Sequence, residues 1–313
     1  MTTDVHAHLW SEEYLELLAR LGRPDLDAHR GLSAGASVEE LRGRFKQMDS
    51  AGIDRQILSV TPLAPHFQDL NSAVEAARFS NQEYAELVER HPDRFAAFAS
   101  LPLPHVEEAL IELDHALDEL GMIGVAVTTD ILGASLSDPG FEPIFAALNE
   151  RKSVLYVHPA GMDAHSQLIR GRSMRWSAGA PIEDTIAVVD LLLSGFPSRY
   201  PELRIIASHL GGGLPMILQR LDRQQPWESP QTPEPPSTAA HRLWFDTVAH
   251  GDRDVLELAA RKFGVGRLLL GTDFPYQSGS AFLEASGFIR DSFNTVQAQQ
   301  ILSGNAARIF SQG

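Results

Sequence analysis

The chain has 313 residues, 43% of them hydrophobic and 21% charged, with a formal net charge of −15 and no cysteine. Such a length and apolar content can bury one full core, so a single domain over residues 1–313 is expected. The acidic balance excludes nucleic acid and anionic membranes as partners, because both need a basic footprint, and the lack of thiols leaves only imidazole and carboxylate to hold a metal.

In chain order, short β-rich runs alternate with helical patterns. The first strand is predicted at Thr3–His8 and closes on Asp4-Val5-His6-Ala7-His8; side chains alternate along a strand, so both imidazoles point to one side. A helix carrying Arg44 precedes the second strand, Arg55–Val60, and the third follows at Phe95–Ser100. Val106, Leu110, Leu113, Leu117 and Leu120 then share one helical face, with Gly121 as the stop. The fourth and fifth strands are predicted at Gly124–Thr128 and Ser153–His158, the latter followed by Pro159. The next helix opens on Pro181, Glu183 and Asp184, as the helix dipole favours, and is expected to bury Ile182, Ile186, Val189 and Leu193 before stopping near Gly195. That apolar stretch is far shorter than the roughly 20 residues a bilayer span needs, and the first residues form no signal core, so a cytoplasmic protein without membrane attachment is expected.

The sixth strand, Arg204–Ser208, leads into His209 and the run Gly211-Gly212-Gly213, which is expected to keep the rim open for substrate. Pro226–Thr238, rich in Pro, Ser, Gln and Thr, reads as a long surface loop. The last two strands are predicted at Leu243–Thr247 and Leu268–Thr272, and Asp273 follows in Gly-Thr-Asp-Phe-Pro. Strands that alternate with helices, several of them continuously apolar, predict an α/β fold of the closed (β/α)8 TIM-barrel type.

His6, His8, His158, His209 and Asp273 thus all fall at carboxyl ends of strands, where barrel enzymes carry their catalytic groups. Imidazole with carboxylate suits zinc or a similar divalent ion with an open coordination position. Of the other histidines, only His250, just after the seventh strand, is a candidate for lining the site. Trp10, Phe67, Trp176 and Phe274 are candidates for an aromatic wall against a planar acid.

Further motifs join these: Met48-Asp49 with Gly52, Arg94-Phe95, Leu101-Pro102, Tyr200-Pro201-Glu202-Leu203, and Pro215 after the glycines. With His6-x-His8, His158-Pro159, His209 and Gly-Thr-Asp-Phe-Pro, they make the chain resemble, nearly end to end, the amidohydrolase superfamily. Within it the resemblance is to the metal-dependent decarboxylases typified by aminocarboxymuconate semialdehyde decarboxylase. It implies His6, His8, His158 and Asp273 as metal ligands and His209 as an acid/base residue, with Asp273 sharing in proton transfer. His209 would either take a proton from metal-bound water or deliver one to the carbon that loses carbon dioxide. Binuclear members bridge two ions with a lysine on the fourth strand; Lys46, Lys152 and Lys262 all lie elsewhere, so one ion is implied, zinc first and manganese second.

The same resemblance implies that Arg44 and Arg220 bind substrate carboxylates, and that the residue matching Arg220 serves a neighbouring subunit's site, hence a homodimer. Leu9-Trp10 and Ala160-Gly161 depart from the branch pattern along the pocket, where Trp176 is a further substrate-binding candidate. The implied activity is non-oxidative decarboxylation of an aromatic or conjugated unsaturated carboxylic acid, a small-molecule partner. A hydrolase or hydratase, such as a lactonase, is the alternative, because metal-activated water serves those reactions too.

Overall fold

The computed structural model describes residues 1–24 and 26–310. Its eight strands are β1 (Thr3–His8), β2 (Arg55–Ser59), β3 (Phe95–Ala97), β4 (Val125–Thr128), β5 (Val154–His158), β6 (Arg204–Ala207), β7 (Trp244–Asp246) and β8 (Leu268–Leu269). They pair in parallel as two arcs, β1 to β3 and β4 to β8. Backbone bonds join the arcs at both seams. Ala99 N donates to the Gly124 carbonyl at 2.8 Å and Ala126 N to the Ala99 carbonyl at 3.0 Å, while Val5 N reaches Leu270 O at 2.8 Å and His8 N reaches Phe274 O at 2.7 Å. The ring is the expected (β/α)8 barrel.

Strand alternation decides what enters the lumen. Val154 and Tyr156 of β5 belong to the inner cluster with Ile57, Phe98 and Ile206, whereas Leu155 and Val157 pack outward among the helices. His158, two residues beyond Tyr156, therefore points inward as well. Most ladders stop one to three residues short of the expected ends, because the chain splays at the barrel mouth. His209, Leu210 and Asp273 lie there in the left-handed region, at φ 49°, 56° and 60°. Residues other than glycine take that conformation at a cost that well-packed functional turns can sustain.

Two helical expectations need correction. The Ala180–Leu193 helix buries Ala180, Glu183, Asp184, Ala187, Val188, Leu191 and Leu192, whereas Ile182 and Ile186 are exposed. The buried stripe is set by close approach to the loop after β6, which favours alanines and admits acids only where they find partners. The predicted loop Pro226–Thr238 contains the end of the Leu214–Glu228 helix and most of the short Pro236–Ala240 helix. Polar composition alone hid a helix end that tolerates Pro226. The predicted helix after Val106 is helical from Val106 to Glu119, with Leu113 buried and Val106, Leu110, Leu117 and Leu120 packed against the core, as expected. Among the described residues, no helix is long and apolar enough to cross a membrane.

Candidate metal centre and active site

His6, His8, His158 and Asp273 converge at the carboxyl end of the barrel, each buried, with one ligand atom apiece all within 4.8 Å of one another. Asp273 Oδ1 lies 3.2 Å from both His6 Nε2 and His8 Nε2, and those two nitrogens are 3.1 Å apart. The far side of each ring is held. His6 Nδ1 meets Asp246 Oδ2 at 2.9 Å, His8 Nδ1 faces Ser59 Oγ at 3.3 Å, and His158 Nδ1 donates to the Pro159 carbonyl at 2.9 Å. Outer partners of this kind fix tautomer and orientation and leave each Nε2 lone pair aimed at the centre.

The fit to a divalent ion rests on His158. Its Nε2 is buried and has no hydrogen-bond partner among the described residues, an arrangement that costs stability unless a Lewis acid completes it. Burial, with the neighbouring His8 and His6, holds this imidazole well below its ordinary pKa, so it stays neutral as a ligand must. Burial likewise lowers His8 to about 4. Asp273 resists its own burial because His6 and His209 hold it well below the usual carboxylate range. His6 is the exception: burial lowers it, but Asp246 and Asp273 outweigh that and raise it to about 9. Below that pH an entering cation must displace its proton.

His209 stands beside this cluster, its ring centroid 5.0 Å from that of His6 and 5.7 Å from that of His158. Nδ1 pairs with Asp184 Oδ2 at 2.9 Å, and Nε2 faces Asp273 Oδ2 at 3.9 Å. Burial pulls the imidazolium down, but Asp184 and Asp273 prevail and lift it well above 6.5. Asp184 reaches it because the Ala180–Leu193 helix touches the loop after β6. A Cβ on Gly212, at φ 62°, would sit 2.1 Å from the Pro181 carbonyl, and one on Gly211 would sit 3.0 Å from Phe245. These glycines therefore pack the loop against its neighbours instead of clearing the rim, a correction to their expected role.

A buried polar web ties the two ligand-bearing ends together. Asp4 Oδ1 accepts from the backbone nitrogens of His6 at 3.1 Å and Thr272 at 3.0 Å, and Oδ2 accepts from Gln56 Nε2 at 2.8 Å and Thr272 Oγ1 at 2.6 Å. Arg44 belongs to this web. Its Nε donates to Gln56 Oε1 at 2.7 Å and its Nη1 to the His8 carbonyl at 2.8 Å, with the Phe274 ring 4.6 Å from Cζ. It lines neither the cavity beside the cluster nor the one beside Thr247, and its buried Nη2 has no hydrogen-bond partner among the described residues. Phe274 is covered by it and forms no wall.

A cavity of about 630 Å³ adjoins the cluster, lined by Thr128, Ala160, Gly161, Phe67 and Trp176 among others. Thr128 is in register with His158, so the cavity abuts the metal centre. Trp176 and Phe67 are thus on its wall. Trp10 instead stacks on His8, centroids 5.5 Å apart, and donates Nε1 to the Val60 carbonyl at 2.8 Å. His250 lines a separate cavity beside Thr247, while His29 and His66, which their loop positions made unremarkable, line the first. Arg220 is exposed on the Leu214–Glu228 helix and lines neither cavity. Sequence reasoning also missed Asp246 and Asp184; an acid closing β7 was a readable signal for the first.

A closed parallel barrel with three imidazoles and a carboxylate at its carboxyl end, and a fourth imidazole beside them, defines a metal-dependent barrel enzyme. The chain belongs to the amidohydrolase family Amidohydro_2, whose profile matches residues 3–312. It is 31% identical to 6-methylsalicylic acid decarboxylase of Penicillium expansum over 98% of this chain and 95% of that protein. It is 24% identical to 2-amino-3-carboxymuconate-6-semialdehyde decarboxylase of Dictyostelium discoideum, over 97% and 89%. Its structure is similar to that of dihydroxybenzoic acid decarboxylase from Polaromonas sp. JS666, solved with manganese and the inhibitor 2-nitroresorcinol. The TM-score is 0.85, at 25% identity, covering 99% of this chain and 96% of that one.

Proposed function

We propose that this chain is a divalent-metal-dependent, non-oxidative decarboxylase of an aromatic or conjugated unsaturated carboxylic acid. The observation that carries the reading is the placing of His209, paired through Nδ1 with Asp184 at 2.9 Å, beside a ligand cluster whose His158 Nε2 lacks any partner among the described residues. His6, His8, His158 and Asp273 would hold the ion, which when bound supplies a Lewis acid to orient the substrate's oxygens. Zinc is the first choice, since three imidazoles and one carboxylate suit it, and manganese the second. Residues 1–313 would act as one catalytic domain in the cytoplasm.

The carbon–carbon bond breaks heterolytically. Carbon dioxide leaves, the electron pair stays on the carbon, and a proton must replace it. Asp184 keeps His209 charged, so His209 is ready to give that proton and poorly suited to take one from water. Asp273 divides its oxygens, Oδ1 toward the ligand histidines and Oδ2 toward His209, and so can help pass the proton. The walls of Trp176 and Phe67 fit a planar substrate and limit water. Incubating metal-loaded protein with hydroxybenzoates, methylsalicylates and unsaturated diacids tests the reading: carbon dioxide with the decarboxylated product is expected, and ring opening or hydration would favour the hydrolase alternative.

Support for a homodimer lies on two helices that touch each other. Ile182 and Ile186 are 42% and 58% exposed on the Ala180–Leu193 helix, and Met216 and Trp227 are 76% and 81% exposed on the helix that carries Arg220. Apolar exposure of this kind marks an association surface, and Arg220 would cross it to bind a carboxylate in the neighbouring site. Mixing inactive Arg220→Ala chains with inactive His158→Ala chains should restore part of the activity, because one hybrid site keeps both groups. No recovery despite proven subunit exchange would remove Arg220 from the partner's site.

A further inference from the structure

The cavity beside the metal centre carries cations that the catalytic scheme leaves without a task. Arg23, Arg170 and Arg175 line it together with the acids Asp130 and Asp163. Those acids are already engaged. Asp163 accepts from Arg170 Nε at 3.1 Å and from Arg175 Nε at 3.2 Å, and Asp130 faces His165 Nε2 at 2.9 Å. Arg23 differs from the other two. Its Nη1 donates to the Ala64 carbonyl and its Nη2 to the Pro62 carbonyl, the latter at 2.9 Å, and no carboxylate among the described residues pairs with it.

Two carbonyls fix the group without neutralising it. A guanidinium has five N–H donors, so these bonds leave donors to spare. Arg23 is half-buried, and that burial pulls it below the ordinary arginine range. The flat faces of Phe67 and Trp176 line the same cavity, which reaches Ala160 and Thr128 beside His158. One planar molecule could therefore meet the metal centre and Arg23 together.

We infer that Arg23 is a specificity-determining residue that binds a second anionic group of the substrate, making the preferred substrate a planar acid with a carboxylate or similar oxyanion besides the carboxylate that departs. The inference rests on the decarboxylase reading for the first group and on the cavity alone for the second. A guanidinium gripping the departing carboxylate would stabilise the starting acid and oppose loss of its charge. One gripping a group that keeps its charge binds ground and transition states alike, and so acts on affinity.

Calorimetry on the metal-loaded protein tests this with unreactive probes: benzoate against isophthalate and terephthalate. The better dicarboxylate should bind at least about tenfold more tightly than benzoate, as a charge-assisted bidentate contact allows. Arg23→Met should bring the two affinities to within about twofold of each other. Should that variant not fold, Arg23→Lys keeps the charge but loses the fork, and should narrow the preference several-fold. Equal affinities in the wild type, or a preference that survives Arg23→Met, would overturn the assignment. Carbon dioxide release from mono- and diacids, measured alongside, separates the two readings. A dicarboxylate preference without any release sinks the decarboxylase and leaves the Arg23 site standing; release without the preference sinks the Arg23 site alone.

Discussion

His158→Ala is expected to lose the metal and the activity together. The other rings of the cluster have polar neighbours that outlast the ion, since His6 keeps Asp246 and His8 keeps Ser59. Among the described residues His158 offers its Nε2 to nothing else, so its contribution goes to the ion alone. Loss of a residue that merely orients a ligand costs about 10- to 100-fold in metal affinity. Loss of the ligand itself should exceed that, and turnover should fall with occupancy. Because His158 is neutral and buried at the end of a strand whose inner neighbours Val154 and Tyr156 are unchanged, the barrel should survive the truncation. Elemental analysis after gel filtration, beside circular dichroism, checks both halves. A folded variant that retains metal and rate would take His158 out of the ligand set.

His209→Asn should cut turnover by about 100- to 10,000-fold, the range for a lost general acid, with metal occupancy close to that of the wild type. The four ligand atoms converge without His209, and its Nδ1 is committed to Asp184 at 2.9 Å. The sign of the pH dependence follows from the raised pKa. The protonated ring is the active form, so it persists through neutral pH, and the rate falls only as pH rises through a value well above 6.5. That alkaline limb should disappear in the Asn variant, a change that a purely structural role would not produce. Loss of metal in parallel with rate would make His209 a ligand and end its assignment as the acid.

The barrel and its metal-centre residues were legible in the sequence because local rules governed them. Two-residue spacing sent His6 and His8 one way, and the carboxyl-end rule gathered His158, His209 and Asp273. What escaped depends on contacts across the chain. Asp246 meets His6 from 240 residues away and Asp184 meets His209 from 25, at positions where an acid on a strand or helix end looks ordinary. The Ala180–Leu193 helix offers two apolar stripes, and only its docking on Gly212 selects the one that carries Asp184. Arg44 matched a motif, but its bonds to Gln56 and to the His8 carbonyl join positions that no local pattern connects. Arg23 sits where loop geometry, set by packing, decides everything.

Titrating metal-stripped protein with zinc or manganese while following carbon dioxide release from the acid panel tests the central claim most directly. The rate should rise from near zero and level off at about one ion per chain, since among the described residues one cluster of three imidazoles and one carboxylate could hold it. Carbon dioxide release that ignores the ion, or a rate that keeps climbing toward two tightly held ions, would contradict it.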